Sequence, residues 1–385
     1  MFFKAQELVV LDVGSKIFSA MVATKKNQGV FYVKSYAETP YSGYENGEWF
    51  DIDELRQSAI ATLESVIFKT GCKSKTLFVS IPAEFATTVT KDVAIILDRR
   101  RKVVDSDIDY LFKKGDTYES NSQYLPVNTS AIYFTVDDSS RLLIDPRGVF
   151  AGKISARASY ILAERGFVEL FDSIAKSMGF SNVEYISQEW AQGLTLLEKE
   201  QRDKDCLLIN IGYLSSSVSV IRGEGLLELK SFSLGGAHIT ANIFESFDTP
   251  FEIAEEARNK VDLNLNYSDE DYIETQDEGG FVSAEIAEVV KNSLDILIET
   301  VASAIELCKY DITSYAPLYL TGNEIPNIRG AVNYIQDAFE KQIEVLSPRL
   351  PAYNKPHYAS VVSLLTVASK LGRNMHGLLR MSFAN

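Results

Sequence analysis

The chain has 385 residues, too many for one ordinary hydrophobic core, so we expect two or more domains. Its hydrophobic fraction of 46% and its charged fraction of 24% are those of a globular protein. The formal net charge of -15 argues against general binding to nucleic acid, which needs lysine and arginine to replace the counterions of the phosphates.

The N-terminus leads directly into a predicted strand and does not have the pattern of a signal peptide. No apolar run approaches the ~20 residues that a membrane span needs. The cysteines Cys72, Cys206 and Cys308 do not have the spacing of a metal site, which indicates reduced thiols. Together these features predict a cytoplasmic protein.

One local pattern occurs twice along the chain. In "LVVLDVG" a predicted strand leads to Asp12 and Gly14, and in "LLINIG" another leads to Asn210 and Gly212. Each glycine is followed by the alternation of a half-buried strand, a further turn and a third strand. The separation of the two units is far longer than any solenoid period. They therefore predict two related domains that face each other across a cleft.

The chemistry of these turns points to an anion. A glycine directly after a strand lets backbone N–H groups approach a phosphate, and Ser15 and Lys16 add a hydroxyl group and a positive charge. An acid at this place repels phosphate unless it holds Mg²⁺ through water, which is the role we predict for Asp12. For either turn taken alone, a plain hairpin is the alternative.

These residues resemble a known superfamily. Strand–DVGS–strand followed by strand–NIG–strand is similar to the first and second phosphate motifs of the actin/Hsp70/sugar-kinase superfamily. The stretch "APLYLTGNEIPNIRGAVNYIQDAF" (316–339) predicts a strand, a loop at Gly322–Asn323 and an amphipathic helix, and it resembles the superfamily's adenosine motif. Within the superfamily, the chain resembles the FtsA family of bacterial cell-division proteins over nearly its whole length.

The most specific match lies in "GGAHITANIFESFDTPFEIAEEARNK" (235–260). The family pattern G-x-x-x-T-x-x-I-x-x-x-F-x-T-P-x-x-x-A-E fits without a gap at Gly236, Thr240, Ile243, Phe247, Thr249, Pro250, Ala254 and Glu255. Hydrophobic spacing independently predicts a helix after the Gly-Gly turn, with free N–H groups beside the cleft. A second helix after Thr249–Pro250 places Glu255 and Arg258 on one face. The resemblance implies that this pair reaches the ribose, and an exposed ion pair is the alternative.

Three further stretches resemble FtsA segments, namely 47–82, 101–112 and 142–163. The resemblance implies an α/β, actin-like ATPase fold with two RNase H-like domains around a nucleotide cleft and an FtsA-type inserted subdomain. We predict subdomain 1A in 1–82 and 163–195, inserted subdomain 1C in 83–162, subdomain 2A in 196–234 and 301–360, subdomain 2B in 235–300, and a return to 1A with the C-terminal tail in 361–385.

A long amphipathic helix is also predicted within 284–310. Its buried face is predicted to comprise Ile286, Val290, Leu294, Leu297, Val301, Ile305 and Cys308.

The phosphate motifs also depart from the family pattern. Asn210 stands in place of an acid, Tyr213–Leu214 in place of glycines, and Ser215 or Ser216 in place of a threonine. The third motif has Gly322–Asn323 where two glycines are expected. The lost charge and the bulky side chains predict very weak hydrolysis, with binding of ATP and Mg²⁺ weak or lost. The chain is therefore at most a weak ATPase, and no catalytic residue is assigned.

The candidate nucleotide-binding residues combine the three motifs with the helix pair. They are Asp12, Gly14, Ser15, Lys16, Asn210, Gly212, Ser215, Gly236, Glu255, Arg258, Gly322 and Asn323. No metal ligand is expected directly from the protein, because Asp12 would act through water.

The resemblance implies a scaffold with several partners. It would polymerise like actin, dock the C-terminal tail of the tubulin-like protein FtsZ, and join other divisome proteins at the Z-ring on the inner face of the cell membrane. The FtsZ tail is implied to dock on 235–300, where Arg258, Lys260 and Lys291 are the candidate cations. The acidic loop 267–280 in the same region is interpreted most simply as solvated.

The C-terminal segment bears on membrane contact. From Lys370 onward it has cations and no acid, and its apolar residues fall near one helical face. The candidate membrane-contacting residues are Met375, Leu378, Leu379 and Phe383. Gly372 and Gly377 weaken such a helix, so a tail packed on the first domain or on a neighbouring subunit is the alternative.

Two other classes of protein stay open. One is a scaffold similar to PilM of type IV pilus machinery, because "SIPAEF" (80–85) fits the FtsA pattern poorly. The other is a small-molecule kinase on the same fold, which would need intact phosphate-binding motifs.

Overall fold

The computed structural model describes residues 6–26, 31–118, 122–276, 280–310, 312–370 and the backbone of 379–380. In chain order, the strands are β1 (Gln6–Val13), β2 (Ile17–Lys25), β3 (Phe31–Pro40), β4 (Tyr44–Glu45), β5 (Glu48–Trp49), β6 (Thr76–Ile81), β7 (Ala86–Lys102), β8 (Tyr124–Val136), β9 (Phe150–Glu164), β10 (Asn182–Ser187), β11 (Cys206–Ile211), β12 (Ser216–Arg222), β13 (Gly225–Phe232), β14 (Tyr272–Ile273), β15 (Phe281–Val282), β16 (Leu318–Thr321), β17 (Ile343–Val345) and β18 (Leu379–Arg380).

The α-helices in chain order are α1 (Ile52–Thr70), α2 (Asp105–Gly115), α3 (Arg165–Ser177), α4 (Gln188–Leu196), α5 (Gly236–Phe247), α6 (Phe251–Lys260), α7 (Ser283–Glu306), α8 (Ala331–Phe339) and α9 (Ala359–Lys370). Local sequence explains their ends. The Asp51 side chain caps α1 by accepting from the Glu54 amide at 2.9 Å, and Gly71 ends it at a φ of 61°.

Two five-stranded sheets repeat one topology. Their strand orders are β3-β2-β1-β6-β10 and β13-β12-β11-β16-β17. In each sheet the first three strands are antiparallel, and the remaining two continue in parallel. The duplicated unit predicted from sequence is therefore present as β1–β3 and β11–β13.

The predicted inserted segment contributes β7, β8 and β9 to a third sheet, which β18 completes in the order β18-β8-β9-β7, and α2 packs on this sheet. This sheet meets the second five-stranded sheet at the turn between β12 and β13. There the Glu224 amide donates to the Ala131 carbonyl at 3.3 Å, and the Ser159 hydroxyl donates to the Leu226 carbonyl at 2.7 Å. The predicted subdomain boundaries stay predictions.

Helix α7 carries most of the predicted buried face. Ile286, Val290, Leu294, Leu297 and Val301 are buried in the second core. The prediction is wrong at its C-terminal end, because the helix stops at Glu306. Cys308 lies beyond that end, and both Ile305 and Cys308 are only half-buried.

The C-terminal segment is described only at β18, whose backbone pairs in parallel with β8. At Leu379 the backbone is therefore a strand and does not continue a helix. Met375, Leu378 and Phe383, also predicted to contact a membrane, lie outside the described residues. Among the described helices, none combines the length and the apolar character that a membrane crossing requires.

Candidate functional site

The two glycine turns have the same internal geometry. The Gly14 amide donates to the Ile17 carbonyl at 3.1 Å, and the Gly212 amide donates to the Ser215 carbonyl at 3.1 Å. A Cβ atom at Gly14 would lie 2.9 Å from the Ile17 oxygen, and one at Gly212 would lie 2.6 Å from the Ser215 oxygen. Glycine is therefore needed at both positions, and both glycine amides are already used within their own turns.

The two turns touch each other across the cleft. The Leu214 amide donates to the Ser15 hydroxyl at 3.1 Å, and the Lys16 Nζ atom lies 3.9 Å from the centre of the Tyr213 ring. Lys16 Nζ also lies 3.7 Å from Glu255 Oε1 on α6. We call Ser15, Lys16, Tyr213, Leu214 and Glu255 the cleft latch. It joins the two domains through four side chains and the backbone amide of Leu214.

A second contact supports the latch. Glu84, in the short 3₁₀-helix before β7, accepts from the Ser215 hydroxyl at 2.8 Å and from the Tyr44 hydroxyl at 2.5 Å. Since Tyr44 and Glu84 belong to the first domain and Ser215 to the second, this carboxylate also bridges the cleft.

A cavity of about 300 Å³ lies beside the latch. The predicted residues that line it are Gly14, Ser15, Lys16, Asn210, Gly212, Ser215, Glu255, Gly322 and Asn323. Its walls also carry five acidic side chains, at Glu38, Glu84, Glu189, Glu255 and Glu324, and two basic ones, at Lys16 and His357. The acidic side chains that are ionised repel a triphosphate.

Asp12 lies beneath the floor of this cavity. Its carboxylate accepts from Gln188 Nε2 at 3.0 Å and from the Ser360 hydroxyl at 2.5 Å. Burial raises the pKa of Asp12, and the hydrogen bonds from Ser360, Ser80 and Gln188 oppose that shift. The carboxylate is thus held by the protein and is 8% exposed as a residue.

Glu189 is a second buried acid, at the start of α4. It is 1% exposed, and its Oε1 atom accepts from the Ser217 hydroxyl at 3.1 Å. Burial raises the pKa of Glu189 to about 8, and the nearby Glu84 adds to the shift. The group is therefore largely protonated at neutral pH.

The N-terminus of α5 differs from the prediction. The Gly236 amide donates to the Gly212 carbonyl at 3.0 Å, and the Ala237 amide donates to the Tyr213 carbonyl at 2.8 Å. The expected free N–H groups are thus occupied by the second phosphate turn. Gly236 is outside the set of residues that line the cavity.

Arg258 is also set back from the cavity. Its side chain is 3% exposed, with Nη1 2.6 Å from the Gly236 carbonyl and 3.1 Å from Glu324 Oε2. Its Nη2 atom is 3.7 Å from Glu255 Oε1, so the predicted ion pair exists but is not exposed at the arginine. Arg258 therefore holds α5, α6 and the Glu324 loop together behind the cleft wall.

The third motif lies against the second. Asn210 pairs with Thr321 in the parallel ladder of β11 and β16. Gly322 has a φ of 93°, and a Cβ atom there would lie 2.2 Å from the Ile211 carbonyl oxygen. Only glycine lets this turn approach β11 so closely.

Only one side of the cavity suits a nucleotide. Gly322 and Asn323 leave open cavity beside the third motif, which suits a base or sugar. The phosphate side does not suit a Mg²⁺-triphosphate in this closed arrangement, because the latch connects the two turns and Asp12 Oδ1 already accepts from Gln188 and Ser360. Among the described residues, no group of three or more His, Cys, Asp or Glu side chains is placed to hold a metal ion.

Sequence reasoning missed several polar residues of the cleft. They are Glu38, Glu84, Gln188, Glu189, His357 and Ser360. The one local signal was "SQEWAQ" (187–192), where polar residues follow a buried strand and begin a buried helix. Gln188, Glu189 and Gln192 are buried polar residues of α4 that line the cavity, which is typical of a site.

Comparison with known proteins bears on the class of this molecule. The model of the family "Cell division protein FtsA" matches residues 207–363. Cell division protein FtsA of Bacillus subtilis (strain 168) is 22% identical over 376 residues, covering 95% of this chain and 84% of the relative.

Two solved structures are similar in fold. The PilM-PilN type IV pilus biogenesis complex has a TM-score of 0.63 and 14% identity, covering 95% of this chain and 99% of that one. MreB 5 of Spiroplasma citri bound to AMPPNP has a TM-score of 0.55 and 11% identity, covering 95% and 96%.

The duplicated sheets, the facing glycine turns and these structures define an actin-like fold, which confirms the predicted fold class. The matches along the chain confirm the predicted family resemblance as well. Along most of its length the chain is similar to FtsA cell-division proteins, at a low level of sequence identity.

Proposed function

We propose that this protein is an actin-like scaffold of bacterial cell division that links FtsZ filaments to the cytoplasmic membrane and works by assembly, without efficient turnover of nucleotide. The observation that carries the proposal is the cleft latch, in which Lys16 and Tyr213 join the phosphate turns directly. Where those turns brace each other, a bound phosphate is not needed to hold the two domains together.

Nucleotide binds weakly in this proposal. Support comes from the cavity at Gly322 and Asn323, and from the AMPPNP held by the MreB 5 neighbour. ATP and Mg²⁺ would have to displace the latch and release Asp12 from Gln188 and Ser360. When bound, Mg²⁺ supplies positive charge that offsets the triphosphate. Asn210 cannot add a negative charge to hold it, so hydrolysis is at most weak.

We propose self-association into filaments and docking of the FtsZ C-terminal tail on the region 235–300. Arg258 is buried in its own ion pairs and is thereby withdrawn from the predicted contact. Lys260 is engaged by Glu256 at 2.7 Å, between Lys260 Nζ and Glu256 Oε1. An acidic tail would therefore meet Lys291, which is half-buried on α7, and would compete with Glu256 for Lys260.

We propose that the protein acts with other divisome proteins on the inner face of the cell membrane, at the division site. The C-terminal segment is the proposed membrane contact, because it combines apolar residues with cations and has no acid. Filament formation would add the weak contacts of many tails.

The experiment is sedimentation of the purified protein with anionic lipid vesicles, with and without ATP and an FtsZ C-terminal peptide. A variant truncated after Leu371 is the matched control. We expect the full chain to pellet with vesicles, to retain the peptide, and to do both without ATP, while the truncated variant stays in the supernatant. A protein that binds neither lipid nor peptide would contradict the division role.

A scaffold of the PilM type is the second candidate. It is favoured by the TM-score of 0.63 to the PilM-PilN complex over 95% of this chain. A pull-down that offers an FtsZ tail peptide and a pilus partner's N-terminal peptide in parallel separates the two functions. A small-molecule kinase is disfavoured by Tyr213 and Asn210 at the phosphate turn.

A further inference from the structure

The inserted sheet has an edge that another part of the same chain occupies. Strand β18 pairs in parallel with β8, with Leu379 opposite Asn128 and Arg380 opposite Thr129. We propose that this edge of β8 is a docking groove for an extended peptide, and that the chain's own C-terminal segment is its resident, exchangeable occupant.

The groove has defined limits along β8. On its N-terminal side, Pro126 has no N–H to donate, and the register with β9 shifts between Pro126 and Asn128. On its C-terminal side, the register shifts again between Ala131 and Tyr133, and the Ala131 carbonyl accepts from Glu224 of the second domain. The stretch Asn128–Ser130, which lies between these limits, is the part of β8 that can pair regularly with a peptide.

This stretch is fixed in place by the first domain. Asn128 Nδ2 donates to the Tyr185 carbonyl at 3.1 Å, and the Ser187 amide donates to Asn128 Oδ1 at 2.9 Å. Asn128 and Thr129 are each 1% exposed, although β8 lies next to the end of its sheet. With β18 paired to it and the first domain bonded to Asn128, this stretch of β8 is an occupied edge, whereas an edge strand ordinarily presents unpaired main-chain groups.

The occupant is a tethered segment. Helix α9 ends at Lys370, so eight residues separate it from Leu379. An extended chain of that length spans up to about 30 Å, which is enough for the crossover that parallel pairing needs. A tether also keeps a weakly binding strand in place through its high effective concentration.

Docking on β8 and contact with lipid exclude each other for Leu379, which also belongs to the proposed membrane contact. One consequence follows, and it rests on the proposed function: the tail must leave β8 before it reaches a membrane. The docking itself depends only on the pairing of β18 with β8.

The test uses the full chain and measures hydrogen exchange at the amides of Asn128–Ser130. Arg380→Pro removes a main-chain donor and disfavours the paired strand, while Arg380→Ala keeps the backbone able to pair. We expect Arg380→Pro to raise the exchange rate of the edge-facing amides several-fold and Arg380→Ala to leave it within about twofold of the unaltered chain. Thermal unfolding of each variant verifies that it folds.

A labelled peptide of residues 371–385 gives the second measurement. It should bind the Arg380→Pro protein and be excluded from the unaltered protein, and a peptide N-methylated at Arg380 should bind neither. Equal exchange in all three proteins, or no peptide binding to the Arg380→Pro protein, overturns the inference.

Vesicle sedimentation of the same proteins separates this inference from the proposed function. If the exchange and peptide results are as expected but no protein pellets with anionic vesicles, the docking groove stands and the membrane role fails. If the unaltered protein pellets while exchange is the same in every variant, the membrane role stands and the groove fails.

Discussion

Tyr213 is the residue that separates this cleft from an open phosphate site. Its ring receives the Lys16 ammonium group at 3.9 Å from the ring centre. Such cation–π contacts contribute roughly 0.5–2 kcal/mol, depending on how far they are shielded from water. Because Lys16 is the predicted cation of the first glycine turn, the contact would withdraw it from a bound anion.

We predict that Tyr213→Gly raises the affinity for ATP several-fold, because it frees Lys16 and opens the second turn. Isothermal titration calorimetry with ATP and Mg²⁺ measures the change. Tyr213→Phe is the matched control, since it keeps the ring beneath Lys16 and should leave the affinity unchanged. Equal affinity for both variants would show that the latch does not restrict the site.

The protonation of Glu189 makes the stability of the folded protein depend on pH. Its folded-state pKa of about 8 lies above the ordinary value of 4.5, so the folded protein binds the extra proton. Stability is then fully present below about pH 4.5 and falls as pH rises toward 8. Glu189→Gln removes this loss and should gain stability over the unaltered protein, by up to a few kcal/mol at pH 8.

Chemical denaturation at several pH values checks the Glu189 prediction. The exposed Glu169→Gln on α3 is the control, and it should leave the pH dependence unchanged. A constant difference between Glu189→Gln and the unaltered protein from pH 5 to pH 8 would contradict a neutral Glu189.

At the scale of elements, the turn between β12 and β13 joins the second domain to the inserted sheet. Gly223 has a φ of 59°, and a Cβ atom there would lie 2.2 Å from the Ile132 carbonyl oxygen. That oxygen belongs to the backbone of β8 and cannot move aside without disturbing the sheet. This turn can approach β8 so closely only because Gly223 has no side chain.

We predict that Gly223→Ala destabilises the fold by more than the roughly 1 kcal/mol that the left-handed backbone alone costs a non-glycine residue. Gly71→Ala is the matched control, because Gly71 has a φ of 61° with no atom within 4 Å of its Cβ position. Urea unfolding of the two variants isolates the clash. Equal losses would mean that the inserted sheet is not held by this turn.

The elements also divide into those that local sequence predicts and those that it does not. The strands β1–β3 and β11–β13 follow from alternation and glycine turns, which act over a few residues. The start of α5 was predicted, but the partners of its amides were not, since Gly212 and Tyr213 come from a distant turn. The end of α7 was placed too late because apolar spacing continues through Ile305 and Cys308 into the loop.

At the scale of the whole molecule, the latch and Glu84 hold the two domains together. A compact chain of 385 residues has a radius of gyration of about 21 Å. We predict that the double variant Lys16→Ala, Ser215→Ala opens the cleft and raises this radius by about 1 Å, because the side-chain contacts of Lys16 and the hydrogen bond from Ser215 to Glu84 are lost. Small-angle X-ray scattering without nucleotide measures it.

The control for the cleft-opening prediction is Lys291→Ala with Thr300→Ala, a pair on α7 outside the set of residues that line the cleft. It should leave the scattering curve unchanged. A double variant at the latch that scatters like the unaltered protein would mean that other contacts, such as the β12–β13 turn and the hydrophobic core shared by the domains, fix the domain arrangement.

Sequence alone accounts for the duplicated strand–turn–strand units, the motif glycines and the FtsA resemblance. These depend on residue type and short-range spacing, which a chain carries without its fold. Tertiary packing was needed to show that Asp12 accepts from Gln188 and Ser360, that Arg258 lies behind the cleft wall, and that Lys16 contacts Tyr213. Those partners are far apart along the chain, and their contacts exist only because two separately formed sheets pack with their turns face to face.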